Sequence, residues 1–143
     1  MWMVNAGITP CFSLHNNLST ADYQNLFAML KKYNPDGYTV IKSYTFEELQ
    51  TVKSIMNDYA EYIWDLSQDI TQGIVDSAVN FGAKITLELT HTNYTSGSVT
   101  LALNRGVLLS GAGNEPSQIK KAVKMGITRF STDDFSDIVI PLD

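Results

Sequence analysis

The chain has 143 residues, 44% of them hydrophobic and 17% charged, with 9 Gly, 4 Pro and 1 Cys. That length and apolar content suit one globular domain over residues 1–143, and exclude a disordered tail, a collagen repeat or a disulfide-stapled miniprotein. Ten Lys and Arg against 15 Asp and Glu leave a net charge of −5, and no basic run exceeds Lys31-Lys32 or Lys120-Lys121, which disfavours nucleic acid as a partner.

In chain order, Gly7 to Leu14 reads as a strand, and Ser19 or Thr20 can cap a helix with Tyr23, Leu26, Phe27 and Leu30 on one face. After the turn signal Asn34-Pro35-Asp36-Gly37, residues Tyr38 to Ser43 form a second strand. Thr45-Phe46-Glu47-Glu48 has the spacing of a capping box and opens a helix with Leu49, Val52, Ile55 and Met56 inward. Tyr62 to Leu66 is a third strand, followed by a helix burying Ile74, Val75, Ala78 and Val79 and stopped at Gly82. Lys84 to Leu89 is the fourth strand, and a shorter helix from about Ser98 to Asn104 ends at Gly106. A fifth strand at Val107-Leu108-Leu109, a helix over Ser117 to Lys124 stopped by Gly126, and a sixth strand at Ile127 to Ser131 complete the pattern.

Strand and helix therefore alternate every 20 to 30 residues or so, the signature of parallel βα architecture. Two folds satisfy it. One is an open, flavodoxin-like doubly wound sheet. The other is a partial (β/α) barrel of about six strands, since a complete barrel takes roughly 250 residues.

Two stretches carry a resemblance. Val107 to Asp133 resembles the closing segment of glycerophosphodiester phosphodiesterases, with the match at the helix, at Gly126 and at Thr132-Asp133. Tyr38 to Leu49 is similar to the same family's strand and helix start, which ends in Ser-Phe where this chain has Ser43-Tyr44. In that family a barrel hydrolyses a phosphodiester with the help of a divalent cation, calcium or magnesium. The resemblance implies a C-terminal portion of such a barrel, because the family's His-Arg-Gly strand, Glu-x-Asp pair and second catalytic His have no counterpart between Met1 and Asp143. Two departures stand out: Ser13 and His15 fall where the family has a metal-binding Glu and a phosphate-contacting Lys, and Ser110-Gly111-Ala112-Gly113 replaces Trp-Thr-x-Asn.

In a parallel βα array ligands bind at the carboxyl ends of the strands. The residues expected there are Ser13, His15, Lys42, Tyr44, Asp65, Ser67, Glu88, His91, Ser110 and Asp133. His15, Lys42, Tyr44, Ser110, Gly111, Gly113 and Asp133 are the expected substrate-side set, facing a small phosphodiester or glycerol phosphate. His15 and His91 each follow a strand and suit acid–base work or plain loop positions. The Ser110 to Asn114 turn offers backbone N–H groups to a phosphate, or is simply a tight turn with Asn114 capping the next helix. Asp133, Asp134 and Asp137 either attract a cation or end a strand. Trp64 and the lone Cys11 are expected in the core.

No catalytic residue and no bound cofactor is expected in this segment itself. The alternative to a phosphodiesterase-like protein is a non-catalytic ligand-binding or assembly module descended from one. The open edges of a partial sheet predict self-association. Met1-Trp2-Met3-Val4 lacks the basic flank and apolar run of a leader, which makes the cytoplasm the default compartment.

Overall fold

The computed structural model describes residues 9–14, 18–35, 37–89, 94–113 and 116–131. Among these residues six strands alternate with five α-helices in chain order: β1 (Cys11–Leu14), α1 (Thr20–Tyr33), β2 (Thr39–Ser43), α2 (Phe46–Met56), β3 (Ala60–Leu66), α3 (Gln72–Val79), β4 (Ile85–Leu89), α4 (Ser96–Asn104), β5 (Leu108–Ala112), α5 (Pro116–Lys124) and β6 (Phe130–Ser131). The strands run parallel in the order β1-β2-β3-β4-β5-β6. Strands consecutive in sequence are neighbours throughout, so the reversal of order that defines a doubly wound sheet does not occur. This is the connectivity of consecutive repeats of a (β/α) barrel.

The helix starts are written in short polar residues. Ser19 accepts a hydrogen bond from the Asp22 N–H at 3.2 Å, and the Asp22 carboxylate accepts from the Ser19 N–H at 3.0 Å, a closed capping box. Thr95 closes a capping box with Ser98 at α4 in the same manner, and Thr71 caps α3 by accepting from the Ile74 N–H at 3.3 Å. At the other ends Gly82, Gly106 and Gly126 have φ of 73°, 73° and 92°, a backbone region that side chains with a Cβ avoid.

The chain resolves into two compact units. The first comprises residues 1–64 with 81–85, and the second residues 65–80 with 86–143. In the first, Ile41, Leu49, Val52 and Tyr62 are fully buried. The Tyr62 N–H donates to the Lys84 carbonyl at 3.0 Å, and the Tyr62 ring meets Phe81 edge-on with centroids 5.2 Å apart. In the second, Leu87, Val75, Val99, Ala102, Ile119 and Ile127 form the core.

Several expectations shift. β3 begins two residues earlier than Tyr62, straight after the short 3-10 turn Asn57–Tyr59. β5 continues through Ser110 to Ala112, because Gly111 and Ala112 pair with Phe130 and Ser131 of β6. Val79 is exposed, lying one position past the inward stripe of α3. Cys11 is exposed rather than core, since β1 is the first strand of the sheet and only Leu14 of its four residues is buried. Trp64 is half-buried, its ring 4.5 Å from that of Phe46.

Among the described residues no helix is long and apolar enough to cross a membrane.

Candidate functional site

Strand alternation sorts the end of β2 into two faces. Thr39, Ile41 and Ser43 are buried, while Val40 and Lys42 between them are half-buried. On the buried side the Ser43 and Tyr23 hydroxyls both donate to the carboxylate of Glu48, which therefore has a hydrogen bond on each oxygen. Ser43 Oγ also accepts from the Thr45 N–H at 3.1 Å. Sequence spacing assigned Glu48 to a capping box with Thr45, but Thr45 makes no side-chain cap bond and Glu48 turns inward instead. Burial, with the hydrogen bond to Glu48 and its charge adding to it, pushes the Tyr23 hydroxyl up to about 12. Beside this cluster lies a cleft of about 340 Å³, lined by Leu18, Tyr23, Thr45, Glu47, Glu48 and Thr51.

Lys42 alternates with Ser43 and so lies on the opposite face of β2, and Tyr44 follows the end of the strand. Tyr44 is half-exposed, and its carbonyl accepts from the Trp64 indole N–H at 3.3 Å. In register, Lys42 stands beside Ser13 of β1 and Ile63 of β3. Ser67, just past β3, is exposed.

In the second compact unit the strand ends carry buried polar groups. Glu88 and Asp65, each one residue before the end of its strand, are 0% and 1% exposed. Ser131 Oγ donates to Glu88 Oε2 at 2.8 Å. Ser110 stands beside Glu88 in register, and its buried hydroxyl has no hydrogen-bond partner among the described residues. The glycines that follow belong to the sheet. The Gly111 N–H donates to the Arg129 carbonyl at 2.9 Å and the Gly113 N–H to the Ser131 carbonyl at 3.3 Å. Both donors are thus engaged in the ladder and are not turned toward a phosphate. A Cβ on Gly111 would lie 3.1 Å from the Phe130 ring, which would have to give by a few tenths of an ångström, whereas one on Gly113 would meet the movable end of Gln118.

His15, His91, Asn114, Asp133, Asp134 and Asp137 lie outside the described residues. Lys42 lies on β2 and Tyr44 just past its end, and Ser110, Gly111 and Gly113 lie on and just past β5. Sequence reasoning missed Glu61, a fully buried carboxylate at the start of β3 that accepts from the Tyr38 hydroxyl and from Lys84 Nζ at 2.9 Å. The available signal was a second charged residue, beside Asp65, in a strand whose other residues are Ala, Tyr, Ile, Trp and Leu.

At the position where the resembling family has a metal-binding Glu, Ser13 presents an exposed neutral hydroxyl.

A scan of the sequence against protein-family models finds no match, and a search of curated proteins finds none either.

Proposed function

We propose that the chain is a glycerophosphodiester phosphodiesterase-like segment that contributes ligand contacts and no catalytic pair of its own. The reading rests on the consecutive, unreversed order of six parallel strands, in which both resembling stretches include the end of a strand. In this reading Lys42 supplies positive charge to phosphoryl oxygens, and Tyr44, half-exposed beside it, contacts the glycerol part. Metal-assisted hydrolysis needs a general acid and base beside a held cation, and Ser13 replaces the one metal ligand this stretch would contribute.

Calorimetric titration of the whole chain with sn-glycerol 3-phosphate tests the binding half. Saturable heat that the K42A variant loses supports the reading, and its absence sinks it. A release assay with a glycerophosphodiester and magnesium or calcium tests the other half: no phosphomonoester should appear, and metal-dependent turnover by the purified chain would overturn the assignment.

Ser13 in place of a carboxylate also favours a second reading, a non-catalytic assembly module. Such a module gives no saturable heat with glycerol phosphate.

A further inference from the structure

The turn between α2 and β3 places a residue with a side chain in a conformation suited to glycine. Asn57, directly after α2, has φ of 45° and ψ of −125°. That pair belongs to the first central position of a type II′ turn, which glycine normally fills. Asn57 and Asp58 are both exposed, and the Asn57 side-chain amide makes no hydrogen bond among the described residues.

The ψ value carries a chemical consequence. Around the tetrahedral Cα of an L-residue it brings the Asp58 nitrogen nearly into eclipse with the Asn57 Cβ. The Asp58 nitrogen and the carbonyl carbon, Cα and Cβ of Asn57 then lie almost in one plane, as they do in a succinimide ring. Rotation about the Cα–Cβ bond alone carries the fifth ring atom, Cγ, to the nitrogen. The fold thus holds in advance the dihedral that ring closure demands.

The attacking peptide group is also activated. Its carbonyl oxygen, that of Asn57, accepts from the Tyr62 hydroxyl at 2.8 Å and from the Ala60 N–H. Both bonds draw electron density from the peptide group and stabilise the amidate left when the Asp58 N–H gives up its proton.

No other described asparagine combines these features. Asn34 precedes Pro35, whose nitrogen carries no hydrogen. Asn25 and Asn104 belong to helices and Asn80 has ψ of 0°, so that in each the following nitrogen is turned well away from Cβ.

We propose that Asn57 is a site of spontaneous deamidation, set up by its backbone geometry and by the Tyr62 hydrogen bond, with isoaspartate as the main product. The Asp58 nitrogen loses its proton to solvent and forms a bond to Cγ. The Cγ–Nδ2 bond breaks, and ammonia leaves with a proton returned from solvent, closing the succinimide. Water then adds to a ring carbonyl, the bond from that carbon to the nitrogen breaks, one hydrogen of the water goes to the nitrogen and the other to solvent as a carboxylate forms. Tyr62 and Ala60 polarise the main-chain carbonyl, which directs water there and leaves the main chain running through the former side-chain carbon. The new carboxylate stands at the C-terminal end of α2, where the helix dipole disfavours negative charge.

The full chain, aged at mildly alkaline pH both folded and in concentrated urea, provides the test. Peptide mass spectrometry with electron-based fragmentation locates the conversion and separates isoaspartate from aspartate. Asn57 should convert about tenfold faster in the folded chain than in urea, and faster than Asn25, Asn80 and Asn104. Y62F, which keeps the ring, should slow the folded reaction by about two- to tenfold and leave the rate in urea unchanged. The comparison of folded with unfolded chain holds without any variant, including one that fails to fold. Conversion at Asn57 that is no faster in the folded chain, aspartate as the main product, faster loss at Asn25, Asn80 or Asn104, or an unaltered rate in folded Y62F would each overturn the proposal.

Discussion

At position 48 one side chain answers two demands. Its spacing from Thr45 suits a cap, yet Tyr23 from α1 and Ser43 from β2 both reach it, and two buried hydroxyl donors outcompete one exposed backbone N–H. The same contact makes Tyr23 a reporter of the cluster. Its hydroxyl ionises near 10 in an unfolded chain and is pushed up to about 12 in the fold, so the folded state holds this proton more tightly. The stabilisation is complete below pH 10, where both states keep the proton. It is lost as pH rises through the interval from 10 to 12, where the unfolded chain ionises first. Urea unfolding across that interval should show a falling midpoint, and Y23F should flatten part of the fall. Tyr62, Tyr59 and Tyr94, shifted in the same direction by burial, add to the fall.

At the scale of elements, caps differ in what they contribute. Ser19, Thr71 and Thr95 each accept a backbone N–H at a helix start, whereas Thr45 does not. S19A, T71A and T95A should each cost about 1 kcal/mol in unfolding free energy, and T45A under about 0.5 kcal/mol. The contrast also shows what sequence can carry. Element type and order were legible throughout, because apolar period and Gly or Ser/Thr punctuation are local. The end of β5 was not: Ser110-Gly111-Ala112 has the composition of a turn, and only pairing with Phe130 and Ser131, some twenty residues on, makes it strand. The candidate site was legible only as positions: Lys42, Tyr44, Asp65 and Glu88 stand at or beside strand ends, and Ser110 stands in the middle of β5. It was not legible as a set of contacts, since the Tyr23–Glu48 and Ser131–Glu88 bonds span 25 and 43 residues.

At the scale of the whole molecule, the sheet order gives β1 and β6 one neighbouring strand each among the described residues, and such edges recruit further strands. Sedimentation equilibrium should show an apparent mass that rises with protein concentration; a constant monomer mass across the range would refute edge pairing. The division of the chain has a different consequence, one for dissection. β3 begins in the first compact unit and ends in the second, and β4 does the same. Neither unit is therefore an uninterrupted stretch of polypeptide. A fragment ending at Trp64 keeps Glu61 and Tyr62 but forfeits Lys84 and Phe81, their partners in charge and in ring packing. The gene offers no single point at which scissors would release one half intact.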